Sequence, residues 1–182
     1  IIAGEGTHLI TYTYQDENSC TNTCTFDITV NDLPEVSCPE SITTCVNNDP
    51  LTLSGGLPEG GTYSGTGVID NVFDPFVAGS GTHVLTYEYV DINGCSESCT
   101  FEVTVNDQPE LTWAASMELC IDAGPQQLTG GQPDGGTYSG LGVSEGIFDP
   151  QQSGSGTHQI TYTYTDVSGC INSCSFEITV HD

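Results

Sequence analysis

Residues 81–105 read GTHVLTYEYVDINGCSESCTFEVTV, and apolar and polar side chains alternate along both halves of this stretch. Leu85 and Tyr87 share one face of the first half, and Phe101 and Val103 share one face of the second. An Asn-Gly pair lies between the two halves. Period-two alternation around such a pair is typical of a β-hairpin. The sequence therefore predicts a hairpin with one face towards a core.

The same hairpin occurs three times, at intervals of 75 residues. Each copy opens with Gly-Thr-His, at Gly6, Gly81 and Gly156. Residues 33–107 align with residues 108–182 without a gap, and about half of the aligned residues are identical. An interval of this length is typical of a small complete domain rather than of a solenoid repeat. We therefore predict two whole domains, preceded in residues 1–32 by the C-terminal hairpin of a partial one.

An isolated hairpin is marginally stable in water, so the partial unit needs a partner. Either the chain is an excerpt from a longer one, which is the interpretation we favour, or residues 1–32 complete a sandwich that another molecule supplies. Each whole unit shows about seven short runs separated by Gly, Pro, Asn and Asp, and none has a helical period. This pattern predicts an all-β chain of tandem immunoglobulin-like β-sandwich repeats. Short junctions that contain Pro34 and Pro109 predict that the repeats of 75 residues form an extended rod.

The charge of the chain is one-sided. The 182 residues include 25 Asp and Glu but no Lys or Arg, which gives a formal net charge of −25. Nucleic acids and anionic membrane surfaces need cationic side chains, so neither is expected as a partner. No apolar run is long enough for membrane insertion. Self-repulsion would be relieved by salt or by bound divalent cations.

Nine cysteines recur at fixed places in the repeats. In an all-β chain this indicates disulfides and an oxidising compartment, so we expect a secreted protein. Metal binding by Cys-x3-Cys is the alternative, although zinc sites usually show Cys-x2-Cys. The state of Cys20 and Cys24 stays open.

The first whole unit has four cysteines, which allow three pairings. Cys99 shares the inward parity of its strand, and Cys38 shares the parity of Val36, so these two cysteines can meet across the core. The remaining pair would be Cys45 with Cys95. A bridge that closes about 50 residues contributes about 4 kcal/mol by the loop-entropy estimate.

In the second unit, Trp113 stands at the position of the first cysteine. The same pairing then predicts a bond between Cys120 and Cys170. Cys174 would remain as a buried thiol beside the indole of Trp113.

Several motifs together resemble a known group of proteins. They are GGTYSGTGV at residues 60–68, FDP at 73–75, GSGTH at 79–83, and TYEYVD followed by NGC at 86–95. The pattern is similar to the tandem immunoglobulin-like repeats of very large Bacteroidota surface proteins, including adhesins of the gliding-motility type. The Cys38-Pro39 opening and the ending CTFEVTV at 99–105 also resemble hyalin repeats. The resemblance implies an extracellular stalk, adhesin or fibre at the bacterial cell surface, and it supplies no catalytic residue and no ligand. Trp113 and Ala114 depart from its Cys-Pro opening.

Acidic side chains flank both junctions, at Asp32, Glu35, Asp107 and Glu110. Calcium prefers several hard oxygen ligands, so these four residues are candidate ligands that would stiffen the rod. The alternative is a solvated turn held by side-chain hydrogen bonds to the backbone.

The three Gly-Thr-His histidines are expected to be structural. They are His8, His83 and His158, one in each copy of the hairpin. A catalytic histidine needs a preorganised pocket, and an enzyme seldom repeats its site in every domain. We therefore do not expect an enzyme.

The sequence favours a structural or adhesive extracellular module, a segment of a long adhesin stalk or of a filament. Its partners would be neighbouring repeats of the same chain or identical chains. A glycan-binding module is one alternative, with Tyr63, Tyr138 or Trp113 as a stacking platform, although the parity of Trp113 suggests burial. Another is an accessory domain of a secreted hydrolase, whose catalytic domain would lie elsewhere.

Overall fold

The computed structural model describes residues 3–113 and 116–182, so Ala114 lies outside the described residues. Its regular elements are almost all strands, which confirms the all-β prediction. The strands are β1 Gly6–Gln15, β2 Thr21–Val30, β3 Ile42–Cys45, β4 Leu51–Thr52, β5 Thr62–Ser64, β6 Val68–Ile69, β7 Val72–Phe73, β8 Gly81–Val90, β9 Ser96–Asn106, β10 Met117–Cys120, β11 Gln126–Gln127, β12 Thr137–Ser139, β13 Val143–Ser144, β14 Ile147–Phe148, β15 Gly156–Thr165 and β16 Ile171–His181. The two helical turns are α1 Pro75–Ala78 and α2 Pro150–Ser153. Within the described part of the chain, no helix is long and apolar enough to cross a membrane.

The first two strands form a two-stranded antiparallel sheet. Gly6 lies opposite Val30 at one end, and Gln15 lies opposite Thr21 at the turn. The face predicted to point inward is exposed here, since Tyr12 is 59% accessible. Among the residues that the structure describes, no second sheet covers the apolar face of this hairpin, as one does in the later copies.

Each later copy of the hairpin belongs to a four-stranded sheet that is accompanied by a three-stranded sheet. The first pair of sheets has the strand orders β3-β9-β8-β5 and β4-β7-β6. The second pair has the orders β10-β16-β15-β12 and β11-β14-β13. In each four-stranded sheet the short first strand pairs in parallel with the last. Seven strands in two such sheets form an immunoglobulin-like sandwich, as predicted.

The chain divides into two compact units. The first comprises Ile1–Ser41, Leu51–Phe73 and Val84–Glu102, and the second comprises Ile42–Pro50, Asp74–His83 and Val103–Asp182. This division differs from the predicted boundaries at 33–107 and 108–182, which stay a prediction. Strand β3 falls in the second unit, where it pairs with residues 103–106.

The alternation in the sequence correctly identifies the buried face of the later hairpins. Leu85, Tyr87 and Val103 are at most 1% accessible, and Phe101 is also buried. In the second copy, a core cluster contains Leu128, Phe148, Ile160, Ile178 and Val180. Since side chains alternate between the faces of a strand, period two places all of these residues on the covered side.

Glycines next to the buried tyrosines allow a close approach of the backbone. A Cβ atom added to Gly61 would lie 2.4 Å from the Glu88 carbonyl oxygen and 2.5 Å from the Tyr87 hydroxyl. In the space this leaves, the Gly61 amide donates to the Tyr87 hydroxyl over 2.9 Å, and that hydroxyl donates to the Pro58 carbonyl. The Gly-Gly-Thr-Tyr motif therefore has a packing role, which explains why it recurs in both copies.

Replacing Tyr87 with Phe is expected to lower the free energy of unfolding by about 1–3 kcal/mol, because the Gly61 amide and the Pro58 carbonyl both lose a partner in a covered site. Urea unfolding followed by circular dichroism measures the change. Tyr14→Phe is the matched control, since Tyr14 is 59% accessible. Equal effects of the two substitutions would contradict the assignment.

The sequence predicts that the run Val72 to Pro75 is a short strand followed by a stop, whereas the structure places a helical turn at the stop. The strand ends at Phe73, and α1 begins at Pro75. The Asp74 side chain accepts hydrogen bonds from the amides of Phe76 and Val77. Asp-Pro is a favourable pair for starting a helix, because Asp caps the free amides and proline has a helical φ without an amide of its own.

Candidate functional site

Cys38 and Cys99 form a disulfide, with Cα atoms 5.8 Å apart. Both residues belong to the first compact unit. Cys38 follows Ser37, which pairs with Leu57 in an isolated antiparallel bridge. Cys99 lies on β9, two residues before the buried Phe101. The bond therefore joins the same two residues that side-chain parity pairs in the sequence.

Cys45 forms the other disulfide of the described residues, and its partner is Cys170, with Cα atoms 5.6 Å apart. The predicted bonds Cys45–Cys95 and Cys120–Cys170 are therefore wrong in this structure, where Cys95 and Cys120 are free. The bonded cysteines are 125 residues apart in sequence and belong to two different copies of the 75-residue repeat. Both cysteines lie in the second compact unit.

The strand register explains the first of these corrections. Cys45 lies opposite Asn106, at the C-terminal end of β9. Cys95 immediately precedes Ser96, the residue that begins this strand. The 11 residues of β9 extend about 35 Å at roughly 3.3 Å per residue. Bonded cysteines need Cα atoms within about 7 Å, so Cys45 cannot reach Cys95.

The second correction has the same cause. Cys120 lies opposite His181, at the C-terminal end of β16, whereas Cys170 immediately precedes this strand at its other end. Side-chain parity states which face of a strand a cysteine occupies. It does not state at which end of the strand the cysteine lies. The register of the short first strand, which pairs in parallel with the last strand of the sheet, determines that end.

The Cys45–Cys170 bond lies in a covered and hydrogen-bonded setting. Cys170 is fully buried, and Cys45 is 6% accessible. Beside the bond, the Asn47 side-chain amide donates to the Ile171 carbonyl over 3.0 Å. Asn172 donates in the same way to the Pro109 carbonyl over 2.9 Å. These contacts position the tip of the last hairpin where the disulfide forms.

The free cysteines in the described residues are Cys20, Cys24, Cys95, Cys120 and Cys174. Cys174 is only partly accessible, and burial raises the pKa of its thiol. The thiol therefore stays protonated at neutral pH and is a poor nucleophile. Trp113 is 42% accessible, so the burial predicted for it is not observed.

Aspartates shape the hairpin tips through hydrogen bonds to the backbone. Asp91 accepts from the amides of Asn93 and Cys95, each over 2.8 Å. Asp16 and Asp166 accept from the amides of Cys20 and Cys170 in the same manner. These residues form the side-chain turns typical of Asx motifs.

The pKa of Asp91 is lowered, chiefly by the hydrogen bond from the Cys95 amide. A lowered folded-state pKa gives stability that is present above the unfolded value of about 3.9 and is lost as the pH falls through the folded value. We therefore expect the amide signals of this tip to titrate with a midpoint below about pH 3.9. NMR of the Cys95 amide measures the midpoint, and Asp91→Ala should remove this titration. A midpoint at or above the ordinary aspartate value would contradict the prediction.

Calcium at the junction acids stays a prediction. Across residues 3–113 and 116–182, no three His, Cys, Asp or Glu side chains are grouped closely enough to hold a metal ion. Asp32 accepts a hydrogen bond from the Leu33 amide over 2.9 Å. The pKa of Glu5 is raised, chiefly by a side-chain hydrogen bond with Asp32 and next by the negative charge of Asp32. Two carboxylates thus lie together beside the first junction. Glu35, Asp107 and Glu110 do not join them in a preformed cluster.

The Gly-Thr-His histidines have a local structural contact in all three copies. The His83 ring nitrogen Nε2 donates to the Gly79 carbonyl over 2.8 Å, at the end of α1. His8 and His158 contact Gly4 and Gly154 in the same way. Each ring therefore fixes the chain that enters the first strand of its hairpin.

Two of the three proposed stacking residues make contacts inside the fold. The ring centroid of Tyr63 lies 4.7 Å from that of Tyr87, and the ring centroid of Tyr138 lies 4.8 Å from that of Tyr162. The hydroxyl of each residue also accepts a backbone amide hydrogen bond. Trp113 is the most accessible of the three candidates.

No known protein family and no curated protein matches the sequence. Among solved structures, the chain is similar to a Ca²⁺-stabilised adhesin that helps an Antarctic bacterium bind ice, with 14% identity and a TM-score of 0.41. That match covers 96% of this chain and 57% of the adhesin, so this chain spans about half the length of that structure.

Two other matches are weaker. An endo-fucoidan hydrolase of glycoside hydrolase family 107 shares 15% identity over 98% of this chain and 34% of its own, with a TM-score of 0.32. Mouse protocadherin-24 EC1-3 shares 13% identity over 96% of this chain and 79% of its own, with a TM-score of 0.28. Likeness at these scores transfers neither site nor function, so the functional argument rests on this chain itself.

Proposed function

We propose that this chain is a structural and adhesive extracellular module, a segment of a long bacterial surface stalk or of an extracellular filament. The observation that carries the proposal is the Cys45–Cys170 bond between two copies of the repeat. Disulfides form and persist in oxidising compartments and are rare in the cytosol, so this bond supports an extracellular location. The sequence resemblance to Bacteroidota surface repeats supports the bacterial cell surface.

The Cys45–Cys170 bond forms a covalent shortcut through the chain. From the N-terminal end, the path follows the chain to Cys45 and crosses directly to Cys170, which bypasses the residues between them. Tension applied to the two ends of the chain is carried by the Cys45–Cys170 bond, and the residues between these cysteines form a closed loop. The module therefore resists extension even when its sheets open, which is the property that a stalk needs.

Solution scattering of the full oxidised chain tests the proposed extended rod. A compact chain of this length has a radius of gyration of about 16 Å. We expect a value clearly above it, and a value near 16 Å would contradict the rod. Measurements with calcium and with a chelator test the junction acids as ligands. A larger radius and a higher Tm in calcium would support ion-dependent stiffening, whereas equal values would exclude it.

Glycan binding is a second candidate, which the 42% accessibility of Trp113 favours. This residue is the only tryptophan in the sequence, so its fluorescence reports directly on stacking. Quenching by an oligosaccharide, absent in Trp113→Ser, would support the candidate. An unchanged spectrum across a panel of surface polysaccharides would remove it.

A further inference from the structure

Two exposed thiols, Cys120 and Cys20, occupy positions whose counterparts form the bond between repeats. Cys120 lies 75 residues after Cys45, and Cys20 lies two repeat lengths before Cys170. Cys45 and Cys170 are buried and bonded to each other, whereas Cys20 and Cys120 are exposed and free. Cys120 therefore repeats the position of Cys45, and Cys20 repeats the position of Cys170, on two separate surfaces.

The backbone around Cys120 matches the backbone around Cys45. Cys120 ends β10 opposite His181, as Cys45 ends β3 opposite Asn106. In both places the carbonyl of the cysteine accepts a hydrogen bond from the amide three residues later, over 3.0 Å. The thiol of Cys120 is thus displayed at the end of a parallel strand, as is the thiol of its bonded counterpart.

The hairpin tip at Cys20 matches the tip at Cys170. The amide of each cysteine donates to an aspartate Oδ1 over 2.8 Å, that of Asp16 or that of Asp166. The Asp16 amide donates back to the Cys20 carbonyl over 3.0 Å, which repeats the arrangement at Cys170. Asn22 stands at the position of Asn172, the residue that donates to the Pro109 carbonyl.

We propose that Cys120 of one copy of this chain forms a disulfide with Cys20 of the next copy. Such a contact joins two different surfaces, so it continues from copy to copy into an open chain. The inference rests on the extracellular location proposed above, because the bond requires an oxidant. It extends the proposed function by naming the partner, which is a second copy of the same chain, and the two residues that join it.

The bond forms by two successive exchanges with a low-molecular-weight disulfide, such as oxidised glutathione. The Cys120 thiolate attacks one sulfur of this oxidant, which forms a mixed disulfide and releases one thiolate. The Cys20 thiolate of the next copy then attacks the Cys120 sulfur and releases the second. Two protein thiols lose two protons and two electrons, and the oxidant is reduced to two thiols.

One difference between the two whole repeats predicts how the Cys120–Cys20 bond could form faster. Asn47 donates a hydrogen bond beside the Cys45–Cys170 bond, but Asp122 stands at its position after Cys120. A carboxylate cannot donate this bond. Asp122→Asn is therefore expected to increase the rate of joining severalfold at neutral pH.

The test is oxidation of the full chain with glutathione disulfide, followed by non-reducing electrophoresis. A ladder of multimers is expected for the unchanged chain, and Cys20→Ser or Cys120→Ser should each abolish the ladder and leave the chain monomeric. An equimolar mixture of these two variants should give at least tenfold more dimer than either variant alone, since only the mixture supplies both thiols on unblocked surfaces. Cys24→Ser is the control that should leave the ladder unchanged.

A ladder that persists in Cys20→Ser would overturn the proposal, as would a ladder lost in Cys95→Ser but not in Cys20→Ser. No ladder in the unchanged chain, with Cys120 still reactive towards a thiol reagent, would also overturn it. Digestion at Asp and Glu followed by mass spectrometry identifies the bonded pair. Scattering of the monomer distinguishes a failure of this proposal from a failure of the proposed function. An extended monomer that forms no ladder would contradict the Cys120–Cys20 bond but not the extended rod.

Discussion

Replacing Cys170 with Ser is expected to lower the free energy of unfolding by about 5 kcal/mol. The Cys45–Cys170 bond closes a loop of 125 residues. The loop-entropy estimate assigns about 4.7 kcal/mol to 100 residues and slightly more to this length. Domains are typically stable by about 5–15 kcal/mol, so the variant would lose a large share of the total.

Urea unfolding of the oxidised protein, followed by circular dichroism, measures this effect. Cys120→Ser is the matched control, because Cys120 is exposed and unpaired in the structure. The control is expected to change the free energy of unfolding by less than about 0.5 kcal/mol. Similar small effects of both substitutions would show that the bond to Cys45 does not form.

Replacing Trp113 with Cys is expected to raise the free energy of unfolding by about 4 kcal/mol. Residue 113 stands at the position of Cys38, and Cys174 stands at the position of its partner Cys99. The neighbouring bridges match as well, because Thr112 pairs with Gln132 as Ser37 pairs with Leu57. The new bond would close a loop of the same 61 residues, for which the loop-entropy estimate is about 4 kcal/mol.

The control for this variant is Trp113→Ser, which removes the indole without adding a thiol. Only Trp113→Cys should protect Cys174 from a thiol reagent in urea and raise the unfolding midpoint. An introduced thiol that remains reduced after oxidation would contradict the prediction. So would a bond from the introduced thiol to any cysteine other than Cys174.

The sheets were predictable from sequence because the period-two pattern is a direct consequence of strand geometry. Leu85, Tyr87 and Val103 are buried as their alternation predicts. Parity also pairs Cys38 with Cys99, and the structure contains this bond. The 75-residue interval predicts the repeated pair of sheets for the same reason, since equal patterns form equal strands.

The partner of Cys45 was not predictable from parity, because the position along a strand depends on the register. The parallel pairing of β3 with β9 places Cys45 at the end of the sheet opposite Cys95. At residues 72–75 the predicted short strand is present and ends at Phe73, but its pattern does not show the helical turn that Asp74 caps. The accessibility of Trp113 could not be inferred either, because it precedes β10 and belongs to no regular strand.

Stretching a single chain by its two ends tests the claim that the disulfides limit extension. With the Cys45–Cys170 bond intact, the 125 residues of the closed loop cannot contribute to the extended length. Reduction of both bonds should therefore add about 410–450 Å of contour length, at roughly 3.3–3.6 Å per residue. Reduction of oxidised Cys170→Ser should add only about half of this length, because the Cys38–Cys99 bond is then the one that opens, and its loop has 61 residues. Equal contour lengths before and after reduction would contradict the account.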